Sequence, residues 1–297
     1  MARTLKFTVG VAMSPLEHYV PIAQKAEELG YDAIAVPDSI FYSEDVGAPY
    51  PYTTDGERMW GAQTPWADPL VGAMAMAQAT STIRFYTSVV KMGVRNAVLF
   101  ARQVNTVAAM SGNRFGLGLG LGWLPEEFQW CGQSYAGRGA RVDEDIEVLR
   151  KILGGGMVEH HGRFHDFGKL QMSPTLTAPV PIYIGGHTEP ALRRAARVAD
   201  GWASAMIMFD DLVTTVARLG ELRREEGRDQ LPFEVQVSVL DRFGADGYRE
   251  QEAAGVTDVI TIPWLYYGVG FDGPLQAKLD GMERFHADHM APLEDDA

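Results

Sequence analysis

Residues 84–123 read RFYTSVVKMGVRNAVLFARQVNTVAAMSGNRFGLGLGLGW. Two β-rich apolar runs, Arg84–Val90 and Arg114–Gly120, enclose a helical stretch, Leu99–Met110, that Ser111–Gly112 closes. Both runs are nearly continuous in apolar character, as strands covered on both faces should be. A strand, a crossover helix and a second strand make a unit whose strands lie parallel.

The same alternation continues on either side. Upstream lie Leu5–Val11 (LKFTVGV) and Ala33–Val36 (AIAV). Downstream lie Pro181–Ile184 (PIYI), Gly201–Ala205 (GWASA), Phe233–Val239 (FEVQVSV) and Asp258–Ile262 (DVITI). Helical spacing fills the gaps. Leu16–Gly30 puts Tyr19, Ile22, Ala23, Ala26 and Leu29 on one stripe, with Gly30 where a helix C-terminal glycine belongs. Asp68–Thr80, Arg138–Leu153, Glu189–Ala199, Asp210–Glu226, Asp246–Ala254 and Gly273–His286 follow. Eight strands alternating with eight helices predict an α/β fold, a (β/α)8 TIM barrel formed by one domain over residues 1–297. An open doubly wound sheet is the alternative, because periodicity does not show closure. Two connections are too long for plain loops. One follows strand two, at about 38–66, and is rich in aromatic residues. The other follows strand four, at about 121–180, and holds the helix from Arg138 and a hairpin around His161–Gly162.

Composition narrows the function. Of the 297 residues, 46% are hydrophobic and 22% charged, as in an ordinary globular protein. The formal charge of −13 argues against non-specific nucleic-acid binding and against docking on anionic membranes. A single cysteine, Cys131, forms neither an internal disulfide nor a thiolate zinc site. No signal peptide opens the chain, and no apolar run nears the roughly 18 residues of a membrane span. These features predict a soluble, cytoplasmic, globular protein, and say nothing yet about its chemistry.

Four segments sit where strands end. In Tyr183–Pro190 (YIGGHTEP) a buried strand meets two glycines and a helix start, with Thr188 as N-cap and Pro190 in the first turn. Gly185 and Gly186 admit a close ligand, and free N–H groups at the helix start suit a phosphate; the alternative is a tight turn without a ligand. Gly116, Gly118 and Gly120 alternate along strand four, giving room for a flat ring or for a packed neighbour, and the spacing is not G-x-G-x-x-G. Small polar residues end strand three at Thr87-Ser88. Asp38 stands at the tip of strand two as an acid, a base or a turn cap. His18 and His187 are the histidines placed near the mouth. His160, His161 and His165 do not have the spacing of a helical metal pair, and His286 and His289 are expected in solvent.

Together, TSVVKMGVRNAVLFARQVNTVAAMSGNRFGLGLGLGW and PVPIYIGGHTEPALRRAARVADGW resemble the bacterial luciferase-like monooxygenase superfamily, most closely its coenzyme F420-dependent oxidoreductases. The resemblance runs from the first strand to about Ile262. It implies a TIM barrel with a deazaflavin, coenzyme F420, at the C-terminal mouth over strands two to four; FMN is the alternative cofactor. It implies a non-proline cis peptide at Ser88–Val89, cofactor contacts from Asp38, Ser88, Val89, Gly120, Gly185, Gly186 and His187, and a reacting face formed by Asp38 and Trp123. Arg58 and Arg95 are the candidates for the cofactor's polyglutamate tail. The chain departs from the pattern in two places: Ser39 follows Asp38 where many F420 enzymes have histidine, and Trp123 replaces a carboxylate. Both leave the proton donor unidentified. The reaction implied is hydride transfer to or from a small organic substrate by a homodimer that pairs through Asp68–Thr80 and Leu99–Met110. Two rivals are a cofactor-binding barrel without catalysis, and a phosphate-binding hydrolase or isomerase using Asp38 and Glu126.

Overall fold

The computed structural model describes residues 4–294. Eight parallel strands close a barrel: β1 Lys6–Gly10, β2 Ala33–Val36, β3 Arg84–Thr87, β4 Phe115–Gly120, β5 Ile182–Gly185, β6 Gly201–Ile207, β7 Glu234–Val239 and β8 Asp258–Thr261. Neighbours pair in sequence order. Closure comes from β1 pairing with β8 (Lys6↔Asp258) and β3 with β4 (Phe85↔Phe115). The expected TIM barrel is therefore the fold, and the open sheet is excluded. Outside it lie α1 Tyr19–Glu28, α2 Pro69–Gln78, α3 Ala97–Met110, α4 Pro125–Trp130, α5 Arg138–Leu153, α6 Glu189–Val198, α7 Phe209–Glu225, α8 Gly244–Ala253 and α9 Leu275–Phe285. The helices bury their apolar stripes on the outer barrel wall: Ile22, Ala23 and Ala26 of α1 and Phe100, Ala101 and Val104 of α3 are all shielded from water. No helix among the described residues is long and apolar enough to cross a membrane.

Local chemistry sets several boundaries. Asp68 accepts hydrogen bonds from the Leu70 and Val71 N–H groups and starts α2 ahead of Pro69. Asn96 accepts from the Leu99 N–H and starts α3 two residues before the expected position. After α1, Gly30 takes φ +75° while the Tyr31 N–H returns to the Ala26 carbonyl. The six-residue α4 was not foreseen. The hairpin pairs Val158–His161 with Asp166–Leu170, so its turn covers residues 162–165 rather than His161–Gly162. His289 is not in solvent: its ring packs on Phe285, Tyr248 and Tyr266.

Strand three is the main departure. The sequence reads as one run to Val90, but β3 stops at Thr87. The Ser88–Val89 peptide is cis, and pairing resumes at Val90–Lys91 against Leu119 and Gly120 of β4. This bulge explains the alternating glycines. A Cβ on Gly118 would run into the Thr87 carbonyl oxygen, and one on Gly120 would come within 2.7 Å of Val89 Cγ2. A Cβ on Gly116 would lie 2.8 Å from the Tyr183 ring. The glycines make room for the bulge and for a core tyrosine. Of the three, only Gly120 also reaches the mouth.

The lower half of the barrel interior is filled and polar. Lys6 Nζ pairs with Glu234 at 2.9 Å, and Arg84 donates to the Tyr183 hydroxyl at 2.9 Å. Thr8 and Tyr86 donate to Asp258 Oδ2 at 3.0 and 3.3 Å. The Tyr86 and Tyr183 rings meet edge to face above this layer, 5.7 Å apart. The plug closes the floor, so the interior opens only at the C-terminal ends of the strands.

Candidate functional site

A cavity of about 290 Å³ occupies that open end. Ser88 and Val89 of the bulge form its floor, beside Gly120 of β4 and Gly185 of β5. Val89 fits between those two strands: a Cβ on Gly185 would come within 3.0 Å of its Cγ2. One end of the cavity is the corner of Gly185, Gly186 and Thr188 at the start of α6. Gly186 holds φ +114°, a conformation that strains any residue with a side chain. Thr188 occupies the N-cap position, but its hydroxyl makes no capping hydrogen bond. The expected cap is therefore absent, and Thr188 stands at the cavity with its hydroxyl free of that role.

The connection after β2 forms the roof. Residues 37–68 run as turns and bends, and Tyr50, Tyr52, Trp60 and Trp66 come down over the mouth to meet Trp123. Tyr50 packs edge to face on Trp60 at 5.0 Å and on Trp123 at 5.4 Å, and Trp60 packs on Trp66 at 5.5 Å. Burial pushes the Tyr50 phenol up to about 12 and raises that of Tyr52, so both stay protonated near neutrality. Phe41 and Tyr42 do not join the roof. Phe41 stacks on Trp130, and Tyr42 lies under the Arg58 guanidinium at 3.8 Å.

Most of the expected site residues converge here: Asp38, Ser88, Val89, Gly120, Trp123, Gly185 and Gly186 all line the one cavity. The role expected of Asp38 needs correction. Its carboxylate is 2% exposed and held by Arg95 through two bonds of 2.7 and 2.9 Å, while the Lys91 N–H donates to Oδ2 at 2.8 Å. Both oxygens are engaged, so in this arrangement Asp38 ties the bulge to β2 rather than presenting a free carboxylate to the cavity. The same pair removes Arg95 as a ligand for an anionic tail. Arg58 gives one N–H to the Ser43 carbonyl at 2.7 Å, covers the Tyr42 ring and does not line the cavity.

His187 stands behind the wall, not in it. Its ring packs against Tyr52 and Trp202, and its Nε2 lies 2.8 Å from Ser204 Oγ. Ser204 donates to the Ala205 carbonyl, so the histidine is the donor in that contact and carries its proton on Nε2. Burial lowers the His187 pKa and keeps the ring neutral. His18 does not line the cavity; it lies beside the buried Lys278, and burial lowers its pKa. Glu126 does not reach the cavity either. It sits beneath Gly47, so the acid–base pair of the hydrolase reading is not assembled.

One charged side chain at the cavity was not singled out from the sequence. Lys91, the residue that resumes pairing after the bulge, lines the cavity. Its ammonium is paired with Glu127, which lies fully buried on α4 and also receives the Ile40 N–H. Its place directly after the Ser88–Val89 tip was the signal available in the sequence.

Comparison with known proteins agrees with this geometry. The chain is 41% identical over 290 residues to an uncharacterised protein of Mycobacterium tuberculosis, covering 97% of this chain and all of that one. In fold it is similar to an F420-dependent secondary alcohol dehydrogenase solved with an F420–acetone adduct (TM-score 0.76, 16% identity, 98% of this chain and 99% of the other). It is also similar to the oxygenating constituent of 3,6-diketocamphane monooxygenase from Pseudomonas putida, solved with FMN (TM-score 0.61, 14% identity, 94% and 84%). The family model for luciferase-like monooxygenases matches residues 4–246, and the chain belongs to that family.

Proposed function

We propose that the protein is an oxidoreductase that holds coenzyme F420 across the barrel mouth and transfers a hydride between it and a small organic substrate. The observation that carries this reading is the single cavity with three unlike walls: a ridge at Ser88–Val89, a glycine corner at a helix start, and an aromatic roof. The corner fits a phosphate. A Cβ on Gly186 would face Ala191 at 3.2 Å and crowd the start of α6. Pro190 has no N–H, and the Ala191 and Leu192 N–H groups bond the Thr188 carbonyl, so the space beside Gly186 rather than the helix turn is what suits a phosphate. The ridge fits a flat ring, since Val89 rises where glycines on both sides keep the floor clear.

When bound, the cofactor supplies the hydride pair, and the protein supplies binding, orientation and water exclusion. Val89 would hold the flat ring at the cavity floor. Tyr50, Trp60, Trp66 and Trp123 shed water from above and leave a slot for the substrate. His187, neutral and donating to Ser204, fixes the β6 wall beside the glycine corner. Asp38 and Arg95 keep the bulge in register with β2. FMN is the second reading. It is favoured by the placement of Arg58 and Arg95, the two cations expected to meet a polyglutamate tail: neither lines the cavity, and Arg95 is paired with Asp38. The homodimer reading is supported by Val71 of α2 and Leu99 and Met110 of α3, large apolar side chains left more than half exposed.

Fluorescence titration with F420 and with FMN tests the assignment. F420 is expected to bind the parent protein more tightly than FMN. Gly186→Val is expected to weaken binding by about a hundredfold with the circular-dichroism spectrum unchanged. Tighter FMN binding selects the second reading, and unchanged affinity in Gly186→Val removes the glycine corner from the site.

A further inference from the structure

We infer that the substrate of this site is a flat aromatic molecule carrying an oxyanion, a carboxylate or a phenolate, which docks on Lys91 and is seconded by Trp66. The inference rests on the oxidoreductase reading above and names the substrate class for it.

Beside hydroxyl groups that both donate and accept, the cavity's remaining polar side chains are one-sided. Lys91 is 12% exposed, and its ammonium carries three N–H donors, of which the buried Glu127 takes one. Trp66 lines the roof, and its Nε1 donor is buried with no partner. A buried donor without an acceptor is an unusual and costly arrangement unless a ligand completes it. Against these donors, the carboxylate that lines the cavity, Asp38, is closed on both oxygens by Arg95 and the Lys91 N–H. The two roof tyrosines are neutral and add no negative charge. The site therefore offers unused N–H donors, two on the Lys91 ammonium, whose charge Glu127 balances, and one on Trp66, with its lining carboxylate already spent. Aromatic walls alone would also suit a cationic guest, because ring faces attract ammonium groups. Lys91 in the wall decides against that guest and in favour of an anionic oxygen, to which charge-assisted bonds are about twice as strong as neutral ones. The edge-to-face roof rings set the other requirement, a flat apolar body that slides beneath them.

The test uses the cofactor-loaded protein and three probes of one shape: benzoate, benzyl alcohol and benzylamine, titrated by calorimetry. Benzoate is expected to bind best and benzylamine worst. Lys91→Met strands Glu127 in the interior, so the double variant Lys91→Met/Glu127→Gln, which removes both charges, is measured beside it. In the double variant benzoate is expected to weaken at least about tenfold and lose its advantage over benzyl alcohol, whose own affinity stays within roughly threefold. Trp66→Phe is expected to weaken benzoate by roughly threefold. Benzylamine binding as well as benzoate, no benzoate binding, or a benzoate preference that survives in the double variant overturns the inference. The same proteins are titrated with F420 and FMN. Failure of both cofactors to bind the parent sinks the oxidoreductase reading whatever the probes do. Normal cofactor binding without a benzoate preference sinks only the substrate class.

Discussion

The two ends of the barrel interior solve opposite problems with similar residues. At the closed end, Lys6, Arg84, Glu234, Tyr183, Thr8 and Asp258 engage one another and fill the space, with Asp258 Oδ1 and Gln236 Oε1 left unpartnered inside the packing. At the open end, Lys91 and Trp66 keep donor capacity that the protein itself leaves unused. Polar groups buried in a barrel stabilise it when they are matched, and an unmatched one points to a ligand only where it also borders open space. Asp38 sits on the boundary between the two behaviours. It lines the open end but is bonded like a residue of the closed end.

That boundary is the first place to break the comparison. Arg95 and Asp38 form a largely buried bidentate pair, with side chains 17% and 2% exposed. Removing one partner of such a pair leaves an uncompensated charge in the interior, a loss of about 3–5 kcal/mol. Arg95→Met is expected to lower the urea unfolding free energy by that amount, the largest effect of any change considered. Arg95→Met/Asp38→Leu, which removes both charges, is expected to recover most of it. A single variant as stable as the parent means that Asp38 is not locked, and its candidacy as a proton donor returns.

The closed end gives a sharper test through pH. Burial pushes the Asp258 carboxyl up to about 7 from the ordinary 3.8; the nearby Glu234 and Asp32 add to the rise, while the Thr8 hydroxyl and Lys6 oppose it. Between those two values the native state keeps a proton that the unfolded chain has released. Stability therefore falls as pH climbs through that window and levels off above it. Asp258→Asn has no such proton to lose. Relative to the parent, it is expected to gain roughly 2–4 kcal/mol of unfolding free energy between pH 4 and pH 8. Parallel urea-stability profiles for the two proteins across this range sink the buried-acid account.

The fold was legible because each strand and helix carries its own apolar signature, and closure follows from their number. Ser88, Val89, Gly120, Trp123, Gly185 and Gly186 were legible as mouth residues for a related reason: in a parallel barrel every strand ends on the same face. What stayed hidden depends on partners far apart in the chain. Asp38 and Arg95 are 57 residues apart, and no local pattern announces their pairing. Lys91 reads as an ordinary strand exit until α4 supplies Glu127. His187 lies between two cavity residues in sequence, yet its side chain turns toward Ser204 and Trp202. The glycines of β4 were read for the room they make, but what occupies that room, the bulge and Tyr183, belongs to other strands.

The smallest effect is expected at the rim of the closed end, where a matched polar group meets solvent. Glu27, near the end of α1, accepts the N–H groups of Ser81 and Ile83, each at 2.9 Å, together with the N–H and hydroxyl of Thr82. It thereby fastens α1 to the entry of β3. Desolvation pushes its carboxyl up, but the hydrogen bonds from Thr82, Ile83 and Ser81 outweigh that and pull it down to about 2. A carboxyl depressed in the folded state stabilises above its ordinary pKa of 4.5, and the contribution is lost as pH falls toward 2. Solvent screens most of it, and a glutamine keeps one accepting oxygen. Glu27→Gln is thus expected to lower stability by only about 1 kcal/mol at pH 7, with the gap closing by about pH 2–3. Urea midpoints at the two pH values read the difference directly. A loss at pH 7 as large as that of Arg95→Met would mean that the rim is held as tightly as the buried wall, and the contrast between matched groups in solvent and matched groups in the interior would fail.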